Sequence, residues 1–181
     1  MSMVVSELNR VSGDQYRKLE ADSIRWFMRE HAAPFLAHGR VLDYGAGLQP
    51  YRDLVGGIYT PYDRAAHPAS VISEDVGPDS PLFNTRKWHA VMMNQVIQYI
   101  PEPGDLLEQI ADATLVSGVL VMTYPTTWPE VEGEDMWRFT KKGMEKLLGD
   151  HGWKPVVHES RAYLRIPGFD LCLGYGVICR K

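Results

Sequence analysis

The sequence predicts an α/β fold, with a mostly parallel sheet, helices on both faces and a reversed strand at the C-terminal end. Short apolar segments alternate along the chain with amphipathic segments, which is the order of strands and helices in βαβ units. A glycine turn over residues 45–47 directly follows the first of the apolar segments. The last two predicted strands, about 155–163 and 170–178, are too close in sequence for a parallel crossover, so we expect them to be antiparallel if they pair.

Length and composition indicate one globular domain. The chain has 181 residues, of which 45% are hydrophobic and 23% are charged. We expect a single domain over residues 1–181, with an N-terminal helical cap (1–38) and an α/β core (39–181). No apolar run is long enough to cross a bilayer, and the polar N-terminus lacks the layout of a signal peptide, which predicts a cytoplasmic protein without a membrane partner.

Charge and metal-ligand spacing disfavour some functions. The net charge of −4 makes nucleic acid an improbable main partner, because proteins that bind it usually carry a basic surplus. Cys172 and Cys179 are the only cysteines, and with no histidine nearby they form neither a disulfide framework nor a zinc site. The six histidines are scattered without metal-ligand spacing, so no metal is expected.

The predicted elements follow the order of repeated β-α units. Gly13-Asp14 offers an N-cap to the first helix, and Pro34 and Gly39 are expected to end the helical segment. Pro61 lies inside the second predicted strand, where it weakens the expected hydrogen-bond ladder. Strands are predicted over about 39–44, 58–63, 71–72, 89–93, 118–124, 155–163 and 170–178, and the later helices begin near Pro50, Pro103 and Thr140.

The turn Asp43-x-Gly45-x-Gly47 is compatible with two classes of ligand, which differ in charge. A dinucleotide would place its anionic pyrophosphate at this turn, where the Asp43 carboxylate would repel it. The dinucleotide motif also needs a third glycine, and this chain has Pro50 in its place. S-adenosylmethionine instead brings a cationic ammonium and a cationic sulfonium, which suit a carboxylate at the strand end. The sequence therefore favours S-adenosylmethionine over NAD.

Two further carboxylates are candidates for the same ligand. Asp63 ends the next predicted strand, 20 residues after Asp43, where an acidic side chain can accept hydrogen bonds from both ribose hydroxyls. The alternative for Asp63 is a turn-forming aspartate. Asp75 follows the third predicted strand and could accept a hydrogen bond from the adenine amino group, but Glu74 could serve instead, or neither residue.

The chain resembles the class I S-adenosylmethionine-dependent methyltransferases, most of all the small methyltransferase-11-type bacterial proteins. The matching stretches keep the family's order and spacing over most of residues 39–155, and they are VLDYGAGLQPYRDL (41–54), YTPYD (59–63), WHAVMMNQVIQYIPEP (88–103), SGVLVMTYP (117–125) and WRFTKKGMEKLLGDHGW (137–153). The resemblance implies a Rossmann-like sheet of seven strands with a reversed final strand. It also implies methyl transfer from S-adenosylmethionine to an acceptor that it does not identify.

The resemblance assigns roles to individual residues. Asn94 and Gln95, just after the fourth strand, would face the cofactor and the reacting centre. The glycine turn would line the methionine part of the cofactor, with one carboxylate at the ribose and one at adenine. The implied cofactor-binding residues are Asp43, Gly45, Gly47, Asp63, Asp75 and Asn94.

Three residues depart from the family pattern. Gln49 stands where many relatives have a third glycine, although a subset continues with Pro-Tyr, as this chain does. His89 stands where an aspartate is usual, and Tyr99 stands where a histidine is frequent, which removes a possible base. These departures motivate an alternative function, a non-catalytic module that binds the cofactor or a partner. A nucleotide-dependent oxidoreductase is a second alternative.

Methyl transfer from a sulfonium needs few catalytic groups. The reaction is an in-line displacement, so the protein mainly has to align the acceptor and exclude water. A base is needed only when the acceptor must lose its proton early. The candidate catalytic residues are Asn94, Gln95, Tyr99 and Tyr124.

The acceptor is expected to be a small molecule. The place of the Asn/Asp-Pro-Pro-Tyr motif of amino-methylating DNA enzymes reads Asn94-Gln95-Val96-Ile97 here. Trp128, Trp137 and Arg138 follow the fifth strand and are further candidates on the acceptor side. For Trp137 we prefer a packing role, and Arg138 could either grip an anionic acceptor or bridge to a loop carboxylate.

Overall fold

The protein is built around a mixed sheet in which one strand runs against both of its neighbours. The computed structural model describes residues 3–5, 13–64, 82–83, 86–127, 133–166 and 169–181. Its strands are β1 (Met3–Val5), β2 (Arg40–Tyr44), β3 (Ile58–Tyr62), β4 (Trp88–Asn94), β5 (Thr114–Pro125), β6 (Lys154–Ile166) and β7 (Phe169–Arg180). Its α-helices are α1 (Gly13–Phe27), α2 (Ala33–Leu36), α3 (Pro103–Ala113) and α4 (Lys141–Asp150).

The strand order is β1-β6-β7-β5-β4-β2-β3. Six longer strands form the body of the sheet, and the three-residue β1 pairs in parallel with β6 at one edge. Strand β7 is antiparallel to both β5 and β6, whereas β2, β3, β4 and β5 are parallel. The predicted antiparallel pairing of the last two strands is therefore confirmed, and the reversed strand lies between β5 and β6.

The N-terminus differs from the prediction of a purely helical cap. Residues 3–5 form a strand in register with Ala162, Tyr163 and Leu164 of β6. A three-residue strand exists only because β6 offers it an open edge, and such a long-range partner leaves no period in the sequence. The described part of the first helix runs from Gly13 to Phe27, and the N-cap predicted at Gly13-Asp14 stays a prediction, because residues 6–12 lie outside the described residues.

The first helical segment continues past Pro34, which was expected to end it. Residues Met28–Ala32 form a π-helical turn, and the Ala33 N–H donates to the Met28 carbonyl. This wider turn precedes Pro34, which has no N–H and whose ring would crowd a regular α-helical turn. The segment then ends at Leu36, before Gly39.

The predicted third strand, residues 71–72, lies outside the described residues, and so does Asp75. The predicted count of seven core strands is therefore not tested. Pro61 does lie within β3, paired in register with Asp43. Among the described strands β3 has only β2 as a neighbour, which explains how a residue without an N–H is tolerated there.

The strands send alternate side chains into two separate apolar clusters. Along β2, Val41 belongs to one cluster and Leu42 to the other. Because successive side chains of a strand point to opposite faces, the two clusters lie on opposite sides of the sheet. The Leu42 cluster contains Leu107, Ile110 and Leu148 from α3 and α4, and the Val41 cluster contains Ile24, Phe27 and Met28 from the N-terminal helical segment.

Two absences hold for the described part of the chain. No helix there is long and apolar enough to cross a membrane. No group of three or more His, Cys, Asp or Glu side chains there could hold a metal ion. Both cysteines are free thiols. Cys179 is buried, whereas Cys172 is partly exposed.

Candidate functional site

The glycine turn lies at the carboxyl end of β2, where the chain connections diverge. Strand β2 has β3 on one side and β4 on the other, and such a switch in strand order opens a crevice at the carboxyl ends of the strands. The N–H groups of Gly45 and Ala46 both donate to the Tyr62 carbonyl at 2.8 Å, which ties the turn to the end of β3. At Gly45 φ is +78°, and a Cβ there would lie 2.3 Å from Val96 Cγ2, so only glycine fits.

Asp63 fastens the second half of the turn. Its Oδ2 accepts a hydrogen bond of 2.8 Å from the N–H of Gly47, where φ is +49°. Asp63 thus stands directly beside the glycine turn, in the region where the sequence predicted a ligand carboxylate. It also serves the turn itself, which was the alternative interpretation, so the structural and ligand roles are compatible.

Asp43 is a buried carboxylate behind the turn. Only 2% of the residue is exposed, and its Oδ2 accepts a hydrogen bond of 2.5 Å from the Tyr59 hydroxyl. Burial raises the pKa of Asp43 to about 7; the Tyr59 hydrogen bond opposes that rise, and the negative charge of Asp63 adds to it. A carboxylate so short of solvation gains much from a cationic neighbour.

Gln49, which stands where the sequence pattern has its third glycine, has a left-handed backbone conformation. Gln49 has a φ of +58°, in the left-handed region that costs a non-glycine residue about 1–2 kcal/mol. Its N–H donates to the Ala46 carbonyl at 2.7 Å, which closes the turn. The loop shape is therefore retained although the residue type has changed.

A cavity opens between the glycine turn, the end of β3 and the segment that follows β4. Four of the predicted site residues, Gly45, Asp63, Gln95 and Tyr99, meet in its wall. Its aromatic side contains Tyr44 and Tyr62, whose rings lie 4.9 Å apart. The full lining is Tyr44, Gly45, Tyr62, Asp63, Arg64, Gln95, Val96, Tyr99 and Ile100.

Asn94 and Gln95 stand where β4 ends, as predicted. Asn94 Oδ1 accepts a hydrogen bond of 3.0 Å from the Thr123 hydroxyl, and its buried Nδ2 has no hydrogen-bond partner among the described residues. Gln95 has a φ of +57°, and its N–H donates to the Thr123 carbonyl at 2.9 Å. The Asn94 amide is therefore a buried donor without a partner among the described residues, and it lies next in sequence to Gln95 of the cavity wall.

The two candidate tyrosines are in different places. Tyr99 lines the cavity. Burial is the main cause that raises the pKa of its hydroxyl, and the hydroxyl therefore keeps its proton at neutral pH and can donate a hydrogen bond. Tyr124 is fully buried and is not part of the cavity wall. Its hydroxyl is 2.8 Å from His158 Nε2, and His158 Nδ1 is 3.0 Å from Glu145 Oε1. The catalytic role predicted for Tyr124 remains untested.

A buried ion pair beside Gln95 was missed by the sequence analysis. Arg161 of β6 is 1% exposed; its Nη2 donates to Glu20 Oε1 at 3.2 Å and its Nη1 donates to the Ser23 hydroxyl at 2.8 Å. With the Gln95 amide oriented to match, Gln95 donates to Glu20 at 3.2 Å and accepts from Arg161 at 3.0 Å. From sequence, an arginine in a strand is normally predicted to be exposed to solvent. No sequence signal could therefore have revealed the contact of Arg161 with α1.

In the described part of the loop before α4, the side chains that the sequence singled out make contacts within the protein. The Trp137 indole donates to the Ile100 carbonyl at 2.8 Å, which holds the loop against the segment after β4. Arg138 forms an ion pair with Asp135 at 2.5 Å. This is the predicted bridge to a loop carboxylate, which was the alternative to binding an anionic acceptor. Thr140 accepts a hydrogen bond of 3.1 Å from the Gly143 N–H and caps α4, as predicted. Trp128 lies outside the described residues.

His89, one of the departures from the family pattern, is remote from the cavity wall. Its Nδ1 accepts a hydrogen bond of 3.0 Å from the Arg40 N–H at the amino end of β2. Its ring also fills the space beside Gly39, where φ is +74° and a Cβ would lie 2.3 Å from the His89 ring. This histidine thus positions the entry to β2 and takes no part in the cavity.

The fold defined by this sheet and its glycine turn is that of the class I S-adenosylmethionine-dependent methyltransferases. Neither a protein-family model nor a curated relative matches the sequence. The finer likeness to methyltransferase-11-type proteins therefore remains a prediction.

Three solved structures illustrate the likeness in fold. The 1,6-didemethyltoxoflavin-N1-methyltransferase of Burkholderia thailandensis, solved with 1,6-didemethyltoxoflavin and S-adenosylhomocysteine, has 13% identity and a TM-score of 0.67, over 97% of this chain and 92% of that one. A SAM-dependent methyltransferase from Archaeoglobus fulgidus has 14% identity and a TM-score of 0.71, over 89% and 94%. An S-adenosylmethionine-dependent methyltransferase from Mesorhizobium loti has 14% identity and a TM-score of 0.65, over 90% and 100%.

Proposed function

We propose that this protein binds S-adenosylmethionine at the carboxyl edge of β2, β3 and β4 and transfers its methyl group to a small-molecule acceptor. The observation that carries the proposal is the buried Asp43 carboxylate at the glycine turn, with Asp63 hydrogen-bonded to the same turn. Two carboxylates whose charges repel each other favour a cationic ligand. They disfavour the pyrophosphate of a dinucleotide, which would meet both negative charges.

The residues present fit the proposed cofactor. Asp43 would face the cationic methionine part, and Asp63, whose Oδ2 accepts from the Gly47 N–H at the glycine turn, would bind the ribose. The buried Nδ2 of Asn94, without a partner among the described residues, supplies a donor for a ligand acceptor. Asp75 remains a prediction for adenine, since it lies outside the described residues.

Catalysis would consist mainly of alignment. When bound, the cofactor supplies an already activated methyl group. Val96 and Ile100 contribute apolar surface to the cavity and would exclude water. The Tyr99 hydroxyl, which keeps its proton at neutral pH, would orient the acceptor by donating a hydrogen bond. Gln95 is held in place by its backbone bond to Thr123, so its position does not depend on the ligand.

A small acceptor is supported by charge and by one structural neighbour. The net charge of −4 opposes binding of a nucleic acid. The Burkholderia neighbour was solved with a small heterocycle beside S-adenosylhomocysteine, and it matches this chain over nearly its whole length. The acceptor side of this chain would be formed by α1 and by the loop that Trp137 holds.

Calorimetry followed by a methyl-release assay tests the proposal. We expect S-adenosylmethionine and S-adenosylhomocysteine to bind with a one-to-one stoichiometry, and NAD(H) not to bind. Methyl release over a panel of small acceptors should then identify turnover. Tight binding without turnover on any acceptor would support the non-catalytic module, whereas affinity for NAD(H) alone would overturn the assignment of the site.

A further inference from the structure

Tyr59 connects β3 to the buried carboxylate of the candidate site. Tyr59 pairs in register with Val41, and its side chain crosses to the next same-facing residue of β2, Asp43. The hydroxyl donates to Asp43 Oδ2 at 2.5 Å. The ring packs against the apolar cluster that contains Val41, and the Arg52 guanidinium lies 4.8 Å from its centroid. The tyrosine is therefore held from two sides with its hydroxyl aimed at one carboxylate oxygen.

This hydrogen bond decides how Asp43 can meet a ligand. With Oδ2 engaged by the hydroxyl, the carboxylate cannot rotate freely, and Oδ1 is the oxygen left for a cation. A hydrogen bond to a charged acceptor is stronger than one to a neutral acceptor, so the hydroxyl also favours the ionised carboxylate. Orientation and charge of Asp43 are thus controlled by a residue that is not part of the glycine motif.

We propose that Tyr59 is a positioning residue for the cofactor, which holds the Asp43 carboxylate oriented and charged for the cationic end of S-adenosylmethionine. This inference rests on the function proposed above. It goes beyond it by assigning the affinity at neutral pH to a hydroxyl on β3. Tyr59 acts through Asp43 and is not itself expected to touch the reacting atoms.

The groups around Asp43 determine the direction of the effect. Tyr59 faces it from β3, Asp63 from the end of β3, and Tyr51 lies in the turn after β2. Burial raises the pKa of Asp43 to about 7, Tyr59 lowers it, and Asp63 raises it further. Removal of the Tyr59 hydroxyl leaves only influences that raise this pKa. At neutral pH a larger share of Asp43 would then be protonated and unable to attract a cation.

The first measurement follows Asp43 itself in the variant Y59F. With ¹³C-labelled aspartate, the Asp43 carboxyl resonance of the free protein should titrate about one pH unit higher than in the wild type, or more. This readout needs neither cofactor nor activity. An unchanged titration in a folded Y59F protein would overturn the inference, whatever the protein binds.

The second measurement follows affinity for S-adenosylhomocysteine by calorimetry between pH 5.5 and 7, where an α-amino group with a pKa of about 7.7–8.0 keeps most of its protons. At pH 6.5 we expect Y59F to bind about tenfold more weakly than the wild type. Above pH 6.5 the affinity of Y59F should rise more steeply with pH than the affinity of the wild type. A purely structural role would lower affinity equally at every pH in the range, and that result would overturn the inference.

A double-mutant cycle and a matched control complete the design. In the D43N background there is no carboxylate to ionise, so Y59F should lose its pH-dependent effect there. Y163F removes a tyrosine hydroxyl from β6, which three strands separate from β2, and should leave the affinity unchanged. If Y59F still altered the pH dependence in D43N, the inference would fail. If wild-type protein did not bind S-adenosylhomocysteine at all, the proposed function would fail instead.

Discussion

The side chain of Asp63 accepts a hydrogen bond of 2.8 Å from the backbone of Gly47, so the acid that ends β3 also fixes the shape of the turn after β2. The same carboxylate thereby closes the turn and is the one that we propose for the ribose of the cofactor. The glycine turn and the second carboxylate form one structural unit, although 16 residues separate them in the sequence.

Asp63→Ala should therefore weaken cofactor binding and also loosen the turn. We expect the dissociation constant for S-adenosylhomocysteine to rise at least tenfold, and stability to fall by about 1 kcal/mol for the lost hydrogen bond. Asp63→Asn is the matched control, because its amide oxygen can still accept from Gly47. Calorimetry and urea denaturation measure the two effects. Wild-type affinity in Asp63→Ala would remove this residue from the site.

Gln49→Gly should stabilise the protein. Gln49 holds a φ of +58°, which glycine adopts without strain, and the gain should be about 0.5–1 kcal/mol after the entropy cost of glycine in the unfolded chain. Gln49→Ala removes the same side chain but keeps the strain, so it should show no such gain. The midpoint of urea denaturation compares the three proteins. Equal midpoints for the glycine and alanine variants would contradict the strain that we assign to this turn.

Arg161→Met should be strongly destabilising, by about 3–5 kcal/mol, because it leaves the carboxylate of Glu20 buried without its cation. The double variant Arg161→Met with Glu20→Gln should recover part of that loss, since no charge then remains at the contact between α1 and β6. The free energy of unfolding of both single variants and of the double variant gives the coupling. Strictly additive losses would show that the pair does not act as a unit.

His158 should make the protein less stable as the pH falls. Burial lowers the pKa of His158 below its ordinary value, with the Glu145 hydrogen bond opposing the shift. The unfolded chain then takes up a proton near pH 6.5 that the folded protein resists, so the free energy of unfolding should decrease between about pH 6.5 and pH 5.

The variant His158→Gln tests that pH dependence. It should remove part of the slope of unfolding free energy against pH. Denaturant titrations at pH 5, 6 and 7.5 supply the comparison. A slope that is the same in His158→Gln and in the wild type would rule out this histidine as its source.

Local patterns predicted much of what forms the candidate site. The strand that leads into the glycine turn, the capping threonine of α4 and the antiparallel C-terminal pair all follow from short-range residue patterns. Charge and spacing alone predicted the carboxylates Asp43 and Asp63, and the structure brings both to the glycine turn. The prediction was wrong at residues 3–5, because a short edge strand depends on an open neighbour that sequence period does not show.

Contacts between distant segments could not be predicted in this way. Arg161 lies in an alternating strand pattern that gives no reason to expect its complete burial against α1. Tyr59 reads as an ordinary aromatic residue of a strand, and its bond to Asp43 depends on the register between β2 and β3. The sequence suggested that Tyr124 lies at the edge of the site, but it is absent from the cavity wall and its hydroxyl is 2.8 Å from His158 Nε2.

The sequence by itself determined most of the described strands and helices, where the glycine turn falls, and that its nearest charges are negative. These properties depend on residues within a few positions of one another, and local sterics and solvation govern them. Only the tertiary structure decided which hydroxyl holds Asp43, which cation holds Glu20, and which tyrosine reaches the cavity. Those choices depend on strand register and on burial, and both arise only when segments far apart in the chain pack together.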